Sequence, residues 1–327
     1  LGWLGLLLIC ATAIEAAEKG TFSGAKPTEY PEWFKESFLN FEEDIAEAKE
    51  HNRRLMILFT QEGCPYCNAL VERNLAQKDI EVKVRKHFDV VAINMWGDRE
   101  VVTIGGTAYT EKTLAESLKV QFTPTLIFFN EQGKVVLRLN GYLPPARFTL
   151  ALDYVAQHKE NQISFRDYSI DKLPPGDKGE LINEDFFSKA PYNLSKAPKL
   201  SAVFFEQKDC PNCEILHKKV LADAETRSII KNFTTIQLDM WDKTSVVTPQ
   251  GKKTTAREWA KALDIKYAPT IVLFNEKGKE IIRSEAFFKV FHTQGIFDYV
   301  LSGSYKKQPS FQRYLTERAD HIMEQGK

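Results

Sequence analysis

Two pairs of cysteines, each with two residues between them, are the side chains of this chain best suited to chemistry. The first pair is Cys64 and Cys67 in GCPYC, and the second is Cys210 and Cys213 in DCPNC. Cysteines at this spacing can exchange disulfides, form half of a zinc site or make a static bridge. In an exchange reaction one thiolate attacks a disulfide, and the second thiol then resolves the mixed disulfide.

Each pair is predicted to lie between a strand and a helix. The β-rich runs LMILFT and SAVFFE come before the pairs, and the helix-like runs NALVERNLA and EILHKKVLA come after them. The free N–H groups and the dipole at a helix start stabilise an anion, so Cys64 and Cys210 are the predicted nucleophiles. Cys67 and Cys213 lie one turn further along and are the predicted resolving thiols.

The chain contains two copies of one pattern, offset by about 145 residues. MWGDREVVTIGG starts at residue 95 and MWDKTSVVTPQG at 240, while TPTLIFFNEQGK starts at 123 and APTIVLFNEKGK at 268. A repeat this long is a duplicated domain and not a solenoid unit. Each copy predicts strand, helix and strand, then a helix capped by Thr110 or Thr255, a hairpin and a last helix. This order favours an α/β fold with a mixed central sheet flanked by helices.

The pattern divides the chain into five predicted segments. These are a partial signal segment at 1–17, a first domain at 28–158, a linker at 159–180 that contains Pro174-Pro175-Gly176, a second domain at 181–303, and a helical tail at 304–327. The first residues, LGWLGLLLICATA, resemble the apolar core and cleavage site of a secretory signal. Lipidation at Cys10 and a buried N-terminal segment are the alternatives. We expect contact with a membrane only if this segment is retained.

Composition argues against other classes of function. Lys plus Arg and Asp plus Glu both number 44, and no like-charge block stands out, so we expect no nucleic-acid binding. The six histidines show no paired metal spacing, and His51 and His217 are predicted at the surface. Four-cysteine zinc sites usually place their two pairs about 15–20 residues apart, much closer than here. We therefore predict neither a metal nor a cofactor.

Two prolines interrupt runs that otherwise predict internal strands. Pro124 and Pro269 open PTLIFFN and PTIVLFN, where a proline removes a hydrogen bond of the sheet. A cis peptide bond beside the cysteines is a reason to keep proline there, because it would turn backbone polar groups toward an extended peptide.

A CxxC pair after a strand, followed about 60 residues later by Pro-Thr and another strand, resembles the thioredoxin superfamily. The first copy, from about 33 to 157, further resembles bacterial thioredoxin-related proteins of the SoxW type, and the second copy matches from about 198 to 301. Together with the predicted signal segment, the resemblance favours a bacterial protein that is periplasmic or otherwise exported. It implies the redox residues Cys64, Cys67, Cys210 and Cys213, the cis-prolines Pro124 and Pro269, and the substrate-facing residues Thr123 and Ala268.

The chain departs from ordinary thioredoxin in two respects. Both dipeptides between the cysteines differ from Gly-Pro, and the buried acid six residues before the first cysteine is replaced by Leu58 or Phe204. Proton transfer to the resolving thiol must therefore differ, with Glu62 and Glu206 as candidates.

The resulting hypothesis is an exported thiol–disulfide oxidoreductase that acts on protein thiols and disulfides, chiefly as a reductant, together with an unidentified redox partner. One alternative is a non-catalytic peptide-binding module in which one or both pairs are static disulfides. Another is a weakly active second domain, because Glu206, Asp209 and Glu214 surround Cys210 with negative charge. A further hypothesis is an internal relay in which Cys64 and Cys210 exchange electrons.

Overall fold

The computed structural model describes residues 26–173, 179–197 and 200–324. The predicted signal segment and Pro174-Pro175-Gly176 lie outside these residues. Within the described ranges, no helix combines the length and the apolar character needed to cross a bilayer.

The first domain follows the predicted order of elements. They are α1 Phe41–Glu50, β1 Arg54–Thr60, α2 Pro65–Ala69, a π-helical turn Leu70–Leu75, α3 Lys78–His87, β2 Phe88–Asn94, β3 Glu100–Val102, β4 Ala108–Thr110, α4 Glu111–Ser117, β5 Thr125–Phe129, β6 Val135–Asn140 and α5 Pro145–Ala156. Asn40 caps α1 and Thr110 caps α4, and each side chain accepts backbone N–H groups of the first helical turn.

The second domain repeats this order from its first central strand onward, but a short strand and a 3₁₀ turn come before that strand in place of α1. Its elements are β7 Tyr192–Asn193, a 3₁₀ turn Leu194–Lys196, β8 Ser201–Glu206, α7 Pro211–Ile215, a π-helical turn Leu216–Leu221, α8 Ala224–Ile230, β9 Thr234–Asp239, β10 Ser245–Val247, β11 Lys253–Thr255, α9 Ala256–Ala262, β12 Thr270–Phe274, β13 Glu280–Ser284 and α10 Val290–Leu301. Thr255 caps α9 as predicted.

Each domain is built on a four-stranded sheet, ordered β2-β1-β5-β6 in the first and β9-β8-β12-β13 in the second. β1 pairs with β2 and β8 with β9 in parallel, and the other pairings within the two sheets are antiparallel. Every residue of β1 and β8 is buried, because helices cover both faces of these central strands. The predicted mixed α/β architecture is confirmed.

Each domain is followed by a helix that packs on the other domain. After a 3₁₀ turn at Lys159–Asn161, α6 Phe165–Lys172 lies inside the stretch predicted as a linker; after a 3₁₀ turn at Ser304–Lys306, α11 Phe311–Glu324 lies in the predicted tail. Arg166 of α6 is buried, and its Nε donates to the carbonyl of Ile265 at 3.1 Å. Its guanidinium carbon lies 4.2 Å from the centre of the Trp241 ring. These contacts of Arg166 dock the helix on the second domain, and the weak apolar periodicity of the segment did not predict it.

The two domains also meet directly, through equivalent residues. Gly141 packs against Ala286, its counterpart in the second copy, and a Cβ atom on Gly141 would lie 2.8 Å from that of Ala286. Asn140 donates a side-chain hydrogen bond to Glu285, again its counterpart. The contact therefore has approximate two-fold symmetry.

Candidate active site

The first cysteine pair forms the start of α2. Cys64 is the N-cap residue, and its Sγ accepts the backbone N–H of Cys67 at 3.0 Å. Pro65 occupies the first helical position, where its missing N–H costs nothing. The two cysteines are joined by a disulfide with Cα atoms 5.2 Å apart. Strand, cap and helix hold the sulfurs together as the sequence predicts.

The second pair has the same geometry. Cys210 is the N-cap of α7, its Sγ accepts the N–H of Cys213 at 3.1 Å, and the Cα atoms of this disulfide are also 5.2 Å apart. Asp209 adopts a left-handed conformation (φ +49°) at the position that Gly63 holds in the first copy (φ +65°). The turn into the helix is thus the same, although Asp209 adopts it at a greater conformational cost than glycine.

All four cysteines of the two pairs are buried. Cys64 is 1% exposed and Cys210 is 6% exposed, while Cys67 and Cys213 face the interior of their domains. A thiol can exchange with a disulfide only if it reaches the sulfur atom. The first site in particular is covered by residues from outside its own domain.

Both predicted cis peptide bonds are present, at Thr123-Pro124 and Ala268-Pro269, and a third, unpredicted one occurs at Ala190-Pro191. Thr123, Pro124, Ala268 and Pro269 are all buried. The structure places these residues in the loops that open β5 and β12. Their role in binding substrate stays a prediction.

A family model for the thioredoxin-like domain matches residues 41–156 and 189–293, which together make up more than half of the chain. The chain belongs to the thioredoxin-like domain family. The predicted tandem of thioredoxin-like domains is confirmed, and the finer likeness to SoxW-type proteins stays a prediction.

Solved structures also resemble single thioredoxin-like domains of this chain. A thioredoxin-fold protein from Helicobacter pylori is 22% identical, over 40% of this chain and 89% of that one, with a TM-score of 0.34. A thioredoxin from Thermus thermophilus is 28% identical, over 36% of this chain and 83% of that one, with a TM-score of 0.28. No curated protein matches the chain.

A tryptophan–glutamine pair beside each site was not predicted. The indole N–H of Trp96 donates to Gln61 at 3.1 Å, and that of Trp241 donates to Gln207 at 3.1 Å. Both glutamines lie three residues before the first cysteine of their thioredoxin-like domain. The signal was present in the sequence, since both members of the pair recur at the repeat offset. They hold the turn that carries the cysteines.

The two candidates for proton transfer lie in different environments. Glu62 is exposed, whereas Glu206 is 1% exposed and accepts hydrogen bonds from His217 and Gln237. Residues alternate between the faces of a strand, so Glu206 lies on the face opposite Phe205, whose hydrophobic cluster includes Cys210. Glu206 is therefore directed away from the second cysteine pair.

His217 is not at the surface, contrary to the prediction. It is 3% exposed, with Nε2 at 3.0 Å from a Glu206 oxygen and Nδ1 at 2.9 Å from Glu184. Burial by itself lowers the pKa of His217, but the hydrogen bonds and charges of the two glutamates outweigh burial and raise it. The first domain has Thr60 and Val71 at the positions of Glu206 and His217.

Among the described residues, no group of three or more His, Cys, Asp or Glu side chains could hold a metal ion. Each cysteine pair instead closes its own disulfide.

Proposed function

We propose that this chain is an exported bacterial thiol–disulfide oxidoreductase that acts on protein substrates through two CxxC sites, chiefly as a reductant. The observation that carries the proposal is the arrangement at both helix starts. In each, the sulfur of the N-cap cysteine accepts the N–H of the second cysteine. This N–H and the helix dipole favour the thiolate, which is the form that attacks a disulfide.

In the reducing direction, the Cys64 thiolate attacks one sulfur of a substrate disulfide. An S–S bond forms between enzyme and substrate, the substrate S–S bond breaks, and one substrate thiolate leaves. The Cys67 thiolate then attacks the Cys64 sulfur and releases the second substrate thiolate. Two electrons have passed to the substrate, and the enzyme is left with the Cys64–Cys67 disulfide. A dithiol redox partner returns the two electrons by the reverse exchange.

The second site is proposed to carry out the same steps with Cys210 and Cys213. Glu214 forms an ion pair with Lys218 at 2.8 Å, so it does not act on Cys210 as an isolated charge. Asp209 is the acidic residue next to the nucleophile in the chain, where the first site has uncharged Gly63. We therefore expect the first site to attack faster.

The burial of the cysteines favours the alternative of a peptide-binding module with static disulfides. Equilibration with graded ratios of reduced to oxidised glutathione separates the two functions. After acid quench and alkylation, mass spectrometry counts the free thiols at each pair. Two reversible two-thiol transitions in the native protein support exchange. Pairs that become reduced only in denaturant would establish static disulfides.

Capture of substrates tests the direction of exchange. A Cys67→Ser variant should retain protein substrates as mixed disulfides on Cys64, whereas a Cys64→Ser variant should retain none. If the protein is a reductant, the captured substrates should carry disulfides in cells that lack this protein. If both variants give the same background, the first site does not exchange disulfides with proteins.

A further inference from the structure

A loop of the second domain covers the first active site. Residues 285–289, here called the covering loop, join β13 to α10. The ring of Phe288 stacks on Phe122 with centroids 5.1 Å apart and meets Tyr66 edge to face at 5.2 Å. Tyr66 belongs to the CPYC dipeptide, and Phe122 immediately precedes Thr123. The loop thus lies on the residues that flank the disulfide.

The backbone of the loop is held as well. The N–H of Lys289 donates to the Tyr66 hydroxyl at 3.0 Å. Ala286 lies directly against Gly141, where a Cβ atom on the glycine would come within 2.8 Å. An aromatic side chain, a small residue two positions before it and a main-chain N–H after it therefore make the contact.

These contacts define a surface of the first domain that we call the CPYC face, made of Tyr66, Phe122 and Gly141, with Thr123 next to Phe122 in the chain. Thr123 is the residue predicted to meet substrate, and it is buried, as is the adjacent disulfide. The N-terminus of α11 also reaches this face, since the ring of Phe311 lies 5.4 Å from that of Phe122. A protein substrate cannot contact Tyr66 and Phe122 while the covering loop is in place.

The second site is covered differently. Cys210 is 6% exposed against 1% for Cys64, and Asn212 of the CPNC dipeptide lines a cavity of about 530 Å³ between the domains that Pro65 and Tyr66 of the CPYC motif line as well. The residue equivalent to Phe122 is Tyr267, and its hydroxyl donates to the Asn140 carbonyl at 3.0 Å instead of packing on an inserted ring. The aromatic insertion described above is thus a property of the CPYC face.

We propose that the covering loop occupies the substrate position of the first domain, so that the CPYC face selects extended segments with an aromatic residue two positions after a small one. The inference rests on the proposed function and names its substrate class. The ring of Phe288 contacts two aromatic rings of the face, so we take the aromatic residue as the main determinant of selection. The small residue is required because the Cβ of Ala286 already lies so close to Gly141 that a Cβ atom on the glycine would come within 2.8 Å of it.

The test compares Phe288→Ala with Phe297→Ala in the full chain. Both changes truncate a buried phenylalanine of the second domain, but Phe297 packs on Phe204 and Phe233, away from the first domain. The measurement is the rate at which dithiothreitol reduces Cys64–Cys67, followed by quenched alkylation and mass spectrometry. We expect at least a tenfold faster reduction in Phe288→Ala and a rate within twofold of the native protein in Phe297→Ala. Equal rates in the two variants overturn the proposal.

A second variant keeps the test decisive if Phe288→Ala does not fold. Ala286→Leu adds bulk where Gly141 leaves no space, so it should displace the loop with every aromatic contact residue still present. It should also raise the reduction rate at least tenfold, and an unchanged rate counts against the proposal. A pair that resists reduction in every folded variant instead contradicts the proposed function itself.

Specificity is measured with the peptide SEAFFKV, which reproduces residues 284–290. Added to Phe288→Ala, it should slow the reduction of Cys64–Cys67 at least threefold by refilling the face. The matched peptide SEAFAKV, which lacks the second ring, should have no effect. If both peptides act alike, the face does not select the aromatic residue.

Discussion

The buried pair Glu206–His217 offers a quantitative test of how the second domain is stabilised. The carboxylate of Glu206, which is 1% exposed, accepts hydrogen bonds from His217 and from the Gln237 amide. A His217→Val variant would leave it with the Gln237 amide alone, at 3.2 Å. Removing one member of a buried ion pair typically costs about 3–5 kcal/mol, because the other charge stays buried without compensation. We expect the free energy of unfolding of the second domain to fall by about that amount.

The first copy supplies the rescue. The double variant Glu206→Thr, His217→Val places in the second domain the residues that Thr60 and Val71 provide in the first. With the buried carboxylate removed, we expect the double variant to regain at least half of the lost stability. Urea unfolding followed by hydrogen exchange in β8 assigns the transition to this domain. A single variant within about 1 kcal/mol of the native protein, or a double variant no more stable than the single one, refutes the reasoning.

The same pair predicts a pH dependence. The pKa of His217 is raised in the folded protein, so its protonated form binds the glutamates and adds stability. This stability is fully present below the ordinary histidine pKa of about 6.5 and is lost as the pH rises through the raised value. The native second domain should therefore weaken on the alkaline side of pH 6.5. In urea unfolding repeated at several pH values, the double variant should not show this fall in the free energy of unfolding above pH 6.5.

Three further changes test other contacts. Arg166→Ala leaves a buried carbonyl without its donor, so it should cost about 2–3 kcal/mol of second-domain stability in urea unfolding, whereas an unchanged midpoint contradicts the docking of α6. Asp209→Gly places the residue type of Gly63 in the left-handed turn, so it should stabilise the domain by about 1 kcal/mol in thermal unfolding, and a loss of stability opposes this account. Burial, together with the positive charge of Lys289, lowers the pKa of His292 to about 4. The neutral ring of His292 contacts Tyr66, so this contact should be stable above about pH 6.5 and be lost as the pH falls toward 4. Small-angle scattering should then show the radius of gyration rising over this interval, and a constant radius, or the same rise in His292→Phe, refutes the assignment.

Much of the fold was predictable because the signals for it are local and occur twice. Apolar runs, the prolines of the two CxxC motifs and the caps at Thr110 and Thr255 each act within a few residues. The environment of His217 depends instead on Glu184, which is distant in the sequence and outside the helix. The π-helical turn around His217 also breaks the 3.6-residue period on which a surface prediction relies.

The covering of the first site was not predictable for a related reason. The segment EAFFKV does not predict that Phe288 packs against the other domain, because an apolar residue after a strand could equally well pack in the core of its own domain. Likewise, the few apolar residues around Arg166 predict no helix until Trp241 is brought beside them. A contact between the repeats needs residues from two segments that are distant in the sequence, so a pattern within one segment cannot predict it.

The crossed helices α6 and α11 bear on how the tandem chain arose. They begin nine and ten residues after the last helix of their domain, and equivalent hydroxyls anchor both connections: Tyr154 donates to the Ile163 carbonyl and Tyr299 to that of Gln308. A single ancestral unit ending in such a helix would carry both halves of the contact, so two copies could exchange helices as a symmetric homodimer. Gene fusion would convert that dimer into one chain, whose pairing no longer depends on protein concentration.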